Sequence, residues 1–420
     1  MILRDTTART MLGSMLVSSI GMGLYTLALG QTLFQQTGDA QAFAMIFALQ
    51  GLGAVAVLPF SGPLVDALDS RTVYVLCSLL RALTVGVIVV ALSTGDGAVV
   101  SVVGTAAVFL AVFDNVQRTA FFKFTAHHIA GDRAVAFNSL IGIAIQAGSL
   151  IGMASLGLVL MIGTATQALL IDVAVSLVAA LVVSRLRAPR QESAGRLRDS
   201  TLRSALPGML RDWAGLFSRH RHEVVVFAMV LMCAGDFVYS YSLSTLVVPL
   251  VDAWHGGQPW AVSALEGTLG AGMIAATFFT RWTVRLSLLP VWVSLQAVLA
   301  AGLAFTTTPA LHYAGFFLAG FANLNAITLL LTLLQQQAGP LDKAKMASLR
   351  LLAIGLGTAA LMPVVGLAAR QSLTSAFLTV AALLVPFAAC GLWAALRFRP
   401  RAADRAEDEA QRQPELTPAA

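Results

Sequence analysis

Twelve apolar runs alternate with connections whose positive charge is strongly one-sided, and this pattern restricts the chain to one kind of fold. The runs lie near 8–36, 42–65, 72–93, 98–121, 135–162, 165–186, 223–251, 260–280, 285–307, 311–336, 346–369 and 373–397. Each is long enough as a helix to cross ~30 Å of hydrocarbon at ~1.5 Å per residue. When the connections are numbered from the N-terminus, Arg370 alone lies at an odd-numbered one. The other 26 of the 27 Lys and Arg residues fall at even-numbered connections, termini or adjacent span ends, with Arg81 deeper inside a span. Positive loops are retained on the cytoplasmic side during insertion, so both termini are expected in the cytoplasm. The expected architecture is an all-α polytopic membrane protein of twelve transmembrane helices.

Composition removes the competing classes. Hydrophobic residues make up 57% and charged residues 11% of the chain, against about 25% charged in soluble domains. The net charge of +6 therefore reads as an orientation signal facing an anionic leaflet. No basic domain with stacking aromatics is present to bind nucleic acid. Cys77, Cys233 and Cys390 all lie inside apolar runs without metal-ligand spacing, which argues against disulfides and zinc. The first run is too long for a signal-peptide core. Arginine outnumbers lysine 24 to 3, a bias that hints at a GC-rich bacterial genome and hence a bacterial inner membrane.

Six spans precede and six follow the longest polar stretch. The expected organisation is a six-helix bundle over 1–186, a cytoplasmic central loop over 187–222, a second six-helix bundle over 223–399 and a disordered tail over 400–420. Within the loop, Leu206, Leu210, Trp213, Leu216 and Phe217 recur at helical spacing with Arg211 and Arg219 outside the stripe. That spacing fits either a short amphipathic helix on the membrane surface or a plain spacer. The odd connections Gly38-Asp39-Ala40, Thr94 to Gly97 and Gly163-Thr164 are too short to hold an extracytoplasmic domain, so function must reside within the bundle. No His, Cys and Ser constellation shares a common depth, and His127 with His128 forms a loop pair; an enzyme is not expected.

Local motifs sharpen this. The segment GPLVDALDSR (62–71) is similar to the G-x-x-x-D-R-x-x-R-R signature of the major facilitator superfamily in the loop after span 2. Gly62 and Asp66 keep their places, Asp69 and Arg71 fit the variant G-x-L-x-D-R-x-D-R-R, and Ala67 and Ser70 replace arginines. A carboxylate at such a helix end can cap a neighbouring helix or pair with arginine. The region 113–140 and PLDKAKMASL (340–349) resemble the exporter branch of that superfamily. There Asn138, Ser139 and Leu140 match, and Lys343 and Lys345 stand where the branch carries arginine. The span 5 antiporter signature is met at Gly148, Gly152 and Gly157 but lacks its proline and glycine pair. The resemblance covers the whole chain and implies two six-helix halves that rock about a central cavity, with a proton gradient as energy source and no cofactor or metal.

Ionisable groups inside apolar spans cost several kcal/mol unless paired or hydrated, which makes each a candidate for function. Arg81 lies roughly 14 Å into span 3 and Asp236 about 18 Å into span 7, close to the midplane. Asp236 has no cation on its own helix and is the leading proton carrier, the alternative being a protonated carboxyl that serves as an interhelical hydrogen-bond donor; Glu266 on span 8 is the second candidate. Asp114 and Arg118 share a helix face at i, i+4. Asp114 is expected to pair with Arg118 or Arg81, and Asp172 with Arg81 if the helices bring them level. With Asp66, Asp69 and Arg71 these residues form the expected charge and gating network. The resemblance implies that spans 1, 4, 7 and 10 line the cavity. Tyr25, Gln31, Gln35, Phe237, Tyr239, Tyr241, Asn323 and Asn325, with Gln146 on span 5, are then placed to contact substrate. The same amides can instead serve as interhelical glue worth about 0.6–2 kcal/mol each.

The expected function is proton-coupled efflux of a small organic molecule such as a drug, siderophore or secondary metabolite, by a monomer in the lipid bilayer. The alternatives are proton-coupled uptake of a small nutrient, which several fixed cations in the cavity would favour for an anionic solute, and a transport-inactive membrane scaffold or sensor.

Overall fold

The computed structural model describes residues 6–94, 99–128, 132–186, 224–283, 285–337 and 343–397. The central segment 187–222, with its candidate amphipathic helix, and the tail 400–420 lie outside these residues. Twelve α-helices are described: α1 Thr6–Thr37, α2 Ala40–Ala67, α3 Ser70–Thr94, α4 Val99–His128, α5 Asp132–Ile162, α6 Ala165–Ser184, α7 Val224–Trp254, α8 Pro259–Thr283, α9 Leu289–Phe305, α10 Pro309–Gln337, α11 Lys343–Gln371 and α12 Leu373–Arg397. Ten of them have the length and apolarity to cross a membrane. The shorter apolar stretches are α9 and Ala147–Ile162 within α5.

Local sequence explains the helix ends. Gly38 takes φ +64°, and its N–H closes onto the Phe34 carbonyl at 2.8 Å, a left-handed stop that glycine adopts without Cβ strain. Asp39 then caps α2 through the Gln41 N–H at 2.8 Å. Thr164 and Gln167 form a reciprocal capping box at the start of α6. The largest departure from the sequence reading is α4, which continues seven residues past 121 to His128. No helix breaker intervenes, and the extension carries Lys123 Nζ to the Val65 carbonyl at 2.7 Å, where it satisfies the C-terminal end of α2.

Helices α1–α6 form one half, with α1 against α5 and α6, α2 against α4, and α3 against α4 and α6. Helices α7–α12 form the other, with α7 against α11 and α12, α8 against α10, and α9 against α12. Two seams join them, α2 with α11 and α5 with α8. Gly366 lies over Gln41, and a Cβ added at Gly51 would fall 2.5 Å from the Gly355 carbonyl oxygen. These contacts set α2 antiparallel to α11 with backbones touching. At the second seam the Gly157 N–H donates to Ser263 Oγ, and Gly270 rests on Leu150. The antiparallel seams put Thr6, Ala67, Lys343 and Arg397 at one end, hereafter the terminal side. The short connections Gly38-Asp39 and Gly163-Thr164 lie at the other.

Candidate functional site

The first-half charges converge on one arginine. Arg81, 2% exposed, comes from α3 between two carboxylates. Its Nη1 donates to Asp114 Oδ1 on α4 at 2.6 Å, and its Nη2 to both oxygens of Asp172 on α6 at 3.1 and 3.0 Å. The Tyr25 ring on α1 lies 5.5 Å from its guanidinium carbon, within cation–π range. Three helices are thus tied at one depth by charge-assisted bonds, the arrangement that makes a buried guanidinium tolerable. Of the two partners open to Asp114, the structure brings it to Arg81. Arg118 instead donates to Met22 Sδ at 3.4 Å. It lines a small recess with Ser18, Met22, Tyr74, Asp114 and Gln117.

Charges at the terminal-side helix ends act as caps. Asp69 Oδ2 accepts from the Thr72 N–H at 3.0 Å and the Thr72 hydroxyl at 2.7 Å, capping its own helix α3. Arg71 Nη1 reaches the carbonyls of Leu186 at 3.0 Å and Ser184 at 3.4 Å, closing the end of α6. The Asp66 side chain lies outside the described residues, as do those of Gln146, Asn138, Ser139, Lys343 and Lys345.

In the second half, Asp236 is 4% exposed. Its Oδ1 accepts from Gln296 Nε2 on α9 at 2.6 Å, and Asn323 Nδ2 on α10 lies 3.4 Å from its backbone carbonyl. Arg350 on α11 is the cation within electrostatic reach of Asp236. Glu266 on α8 is fully buried; neither carboxylate oxygen has a hydrogen-bond partner, although the Ser244 hydroxyl on α7 is nearby.

The expected cavity residues divide. Tyr241 stacks on Phe47 of α2 with centroids 4.5 Å apart, and Phe237 meets Tyr241 edge-on at 5.9 Å, forming an aromatic cluster between halves. Gln31 is buried with its Oε1 unpartnered, and the Tyr239 hydroxyl is likewise buried without a partner. Gln35 is exposed near the short-connection end of α1. Asn325 donates to the Phe321 carbonyl at 2.9 Å and accepts from Thr283 Oγ1 on α8, which gives it an interhelical role.

Sequence reasoning missed Gln296, Arg350 and the Asp39–Arg370 pair. Gln296 sits mid-way along an apolar helix, a signal that was available. Arg350 was hidden by its closeness to the basic connection before α11. Arg370 Nε lies 2.7 Å from Asp39 Oδ2, joining α11 to the start of α2 at the short-connection end.

A bundle of twelve helices in two halves joined by two seams, ten of the helices long and apolar enough to span a membrane and with charged groups buried in its interior, is that of a multi-pass membrane protein. The Major Facilitator Superfamily model matches residues 11–340, and the chain belongs to that family. No curated protein matches it in sequence. Among solved structures it is similar to the nucleoside transporter NupG, at 15% identity and TM-score 0.69, covering 94% of this chain and 100% of that one. It is also similar to a bacterial homologue of the iron transporter ferroportin in an inward-facing state, at 13% identity and TM-score 0.72, covering 94% and 100%. A third is a bacterial homologue of the human lysosomal transporter Spinster, inward-facing and occupied, at 13% identity and TM-score 0.68, covering 94% and 97%. These likenesses establish the fold.

Proposed function

We propose that this chain is a proton-coupled secondary transporter of a small organic solute, working by alternating access in a bacterial inner membrane with both termini cytoplasmic. The observation that carries this reading is Asp236: a buried carboxylate in the interior of α7, held by Gln296 and with Arg350 within electrostatic reach. A proton arriving there changes the charge balance between α7 and α11, and α11 forms a seam with the other half. Glu266, buried without partners, is the second proton site.

The exporter-type motifs imply outward movement, with solute and proton occupying the site in alternation. The second reading is inward symport, in which solute and proton bind together; it is favoured by the arginines Arg118 and Arg350. A screen of solutes in oriented vesicles under an imposed proton gradient tests both. Accumulation in inside-out vesicles supports export, and accumulation only in right-side-out vesicles supports uptake. Flux that ignores the proton gradient would contradict proton coupling in either direction.

A further inference from the structure

We infer that the side-chain amide of Gln296 reads the protonation state of Asp236, donating through Nε2 to the carboxylate and turning to accept through Oε1 once the carboxyl is protonated. This rests on the reading of Asp236 as a proton site and names the residue that adjusts it. The pattern of α9 places Gln296. The buried residues Leu289, Val293, Gln296, Ala300 and Leu303 recur at intervals of four and three, the inward stripe of a helix, and Gln296 is the polar residue in it. Four positions earlier, Trp292 Nε1 donates to the Thr283 carbonyl at 3.1 Å and its ring meets Phe321 of α10 edge-on, which holds the rotation of α9.

The amide is engaged at one end only. Gln296 is fully buried; its Nε2 lies 2.6 Å from Asp236 Oδ1, and its Oε1 is buried without a hydrogen-bond partner. Asn325 shows the contrast. Its Nδ2 donates to the Phe321 carbonyl and its Oδ1 accepts from Thr283 Oγ1, so both ends are held. A buried carbonyl left unpaired costs free energy, and no second bond locks the Gln296 amide in the orientation seen. Its orientation therefore follows what Asp236 presents. An ionised carboxylate only accepts hydrogen bonds, whereas a protonated one also donates. With the amide nitrogen toward it, Asp236 is matched as a carboxylate. A half-turn of the amide about its last side-chain bond matches it as an acid.

The neighbours of Asp236 differ from Gln296 in this respect. Asn323 Nδ2 lies 3.4 Å from the Asp236 backbone carbonyl, an acceptor that protonation of the side chain leaves unchanged. Arg350 of α11, within electrostatic reach, can only donate. On α7 itself, Cys233 and Tyr239 lie in the field of the carboxylate, with the Tyr239 hydroxyl unpartnered. From α12, Phe387 covers Gly235. The acid of α8, Glu266, is near Ser244, roughly two turns further along α7. Helix α2 meets α7 through Phe47 at Tyr241, and Tyr25 of α1 faces Arg81. Because α9 packs on α10 and α12, the Gln296 amide links that group to α7 through a bond whose donor and acceptor exchange with each proton.

The test follows the amide and the acid together, by infrared difference spectroscopy of the reconstituted protein titrated with pH. In the wild type, a side-chain amide carbonyl band should shift at the same pH midpoint as the Asp236 carboxyl band, and be absent in Asp236→Asn. In Gln296→Met the amide band should vanish and the carboxyl band move to the higher frequency of an acid without an acceptor. The midpoint should rise by about one pH unit, since a hydrogen bond to a charged acceptor is the stronger of the two. Gln296→Leu is the second variant should the first fold poorly. A carboxyl band with the same frequency and midpoint in Gln296→Met as in the wild type would overturn the inference while leaving Asp236 as a proton site, as would a wild type without the shifting amide band. A wild-type spectrum in which no carboxyl band depends on Asp236 would overturn the proton-site reading, and the inference with it.

Discussion

Arg81 and Asp172 meet level in the apolar layer, the arginine Nη2 lying 3.1 and 3.0 Å from the two carboxylate oxygens. Asp172 is 1% and Asp114 21% exposed at the side chain, so the triad has a sealed side and a side facing the cavity. The sealed pair locks α3 to α6. The Asp114 arm is the one that solute or water can reach.

Removing Arg81 leaves two carboxylates near each other without their cation. Breaking a buried pair from one side costs about 3–5 kcal/mol, so Arg81→Gln should markedly lower the thermal midpoint of detergent-purified protein. Adding Asp172→Asn to that variant should recover part of the loss. Equal midpoints for the wild type and Arg81→Gln would show that the triad does not hold the half together.

Because Asp114 is bonded to Arg81 and Arg118 points to Met22, exchanging Asp114 and Arg118 should restore none of the activity lost on neutralising either. Recovery in the exchanged variant, measured as proton-driven flux, would mean that the two pair with each other during the cycle.

The Asp39–Arg370 bridge tests the seam. Arg370 is 60% exposed at the side chain, and such pairs contribute only about 0–1 kcal/mol. Its loss should therefore shift the conformational population rather than the stability. Arg370→Ala should raise the labelling of an Ala44→Cys reporter by impermeant reagent from the short-connection side, with little change in melting. Unaltered labelling would remove the bridge from gating.

His255 and His312 offer a pH handle outside the spanning part of α7. Their Nε2 and Nδ1 lie 3.1 Å apart, and His312 Nε2 is 3.0 Å from the Thr306 carbonyl. Burial and the neighbouring ring lower the pKa of His255 below its ordinary 6.5. The unfolded turn therefore binds more protons than the folded one, and its stability is present above that value and lost as pH falls through it. Amide exchange over 252–260 should accelerate at pH about 5.5 relative to 7.5, and His312→Gln should flatten the difference. Exchange independent of pH in the wild type would contradict the linkage.

The sequence makes the helices easy to locate because apolar runs and their short connections are local signals. Spans 1 and 12 end within two residues of the observed α1 and α12. The partners of Arg81 were less legible, since they depend on the relative rotation and height of α3, α4 and α6, and a one-dimensional pattern leaves these unspecified. Arg350 shows a different failure. Its distance from the nearest loop is small along the chain, so it read as an orientation charge, yet α11 begins at Lys343 and carries it a further two turns inward. Asp236 was legible as a lone buried acid, but its contact with Gln296 required two helices 60 positions apart.

The claim that Asp236 carries the transported proton can be tested without knowing the solute, by infrared difference spectroscopy of the reconstituted protein across a pH titration. The account predicts a protonated-carboxyl band that appears and disappears reversibly in the wild type, is absent in Asp236→Asn and persists in Glu266→Gln. A band that survives unchanged in Asp236→Asn would contradict it.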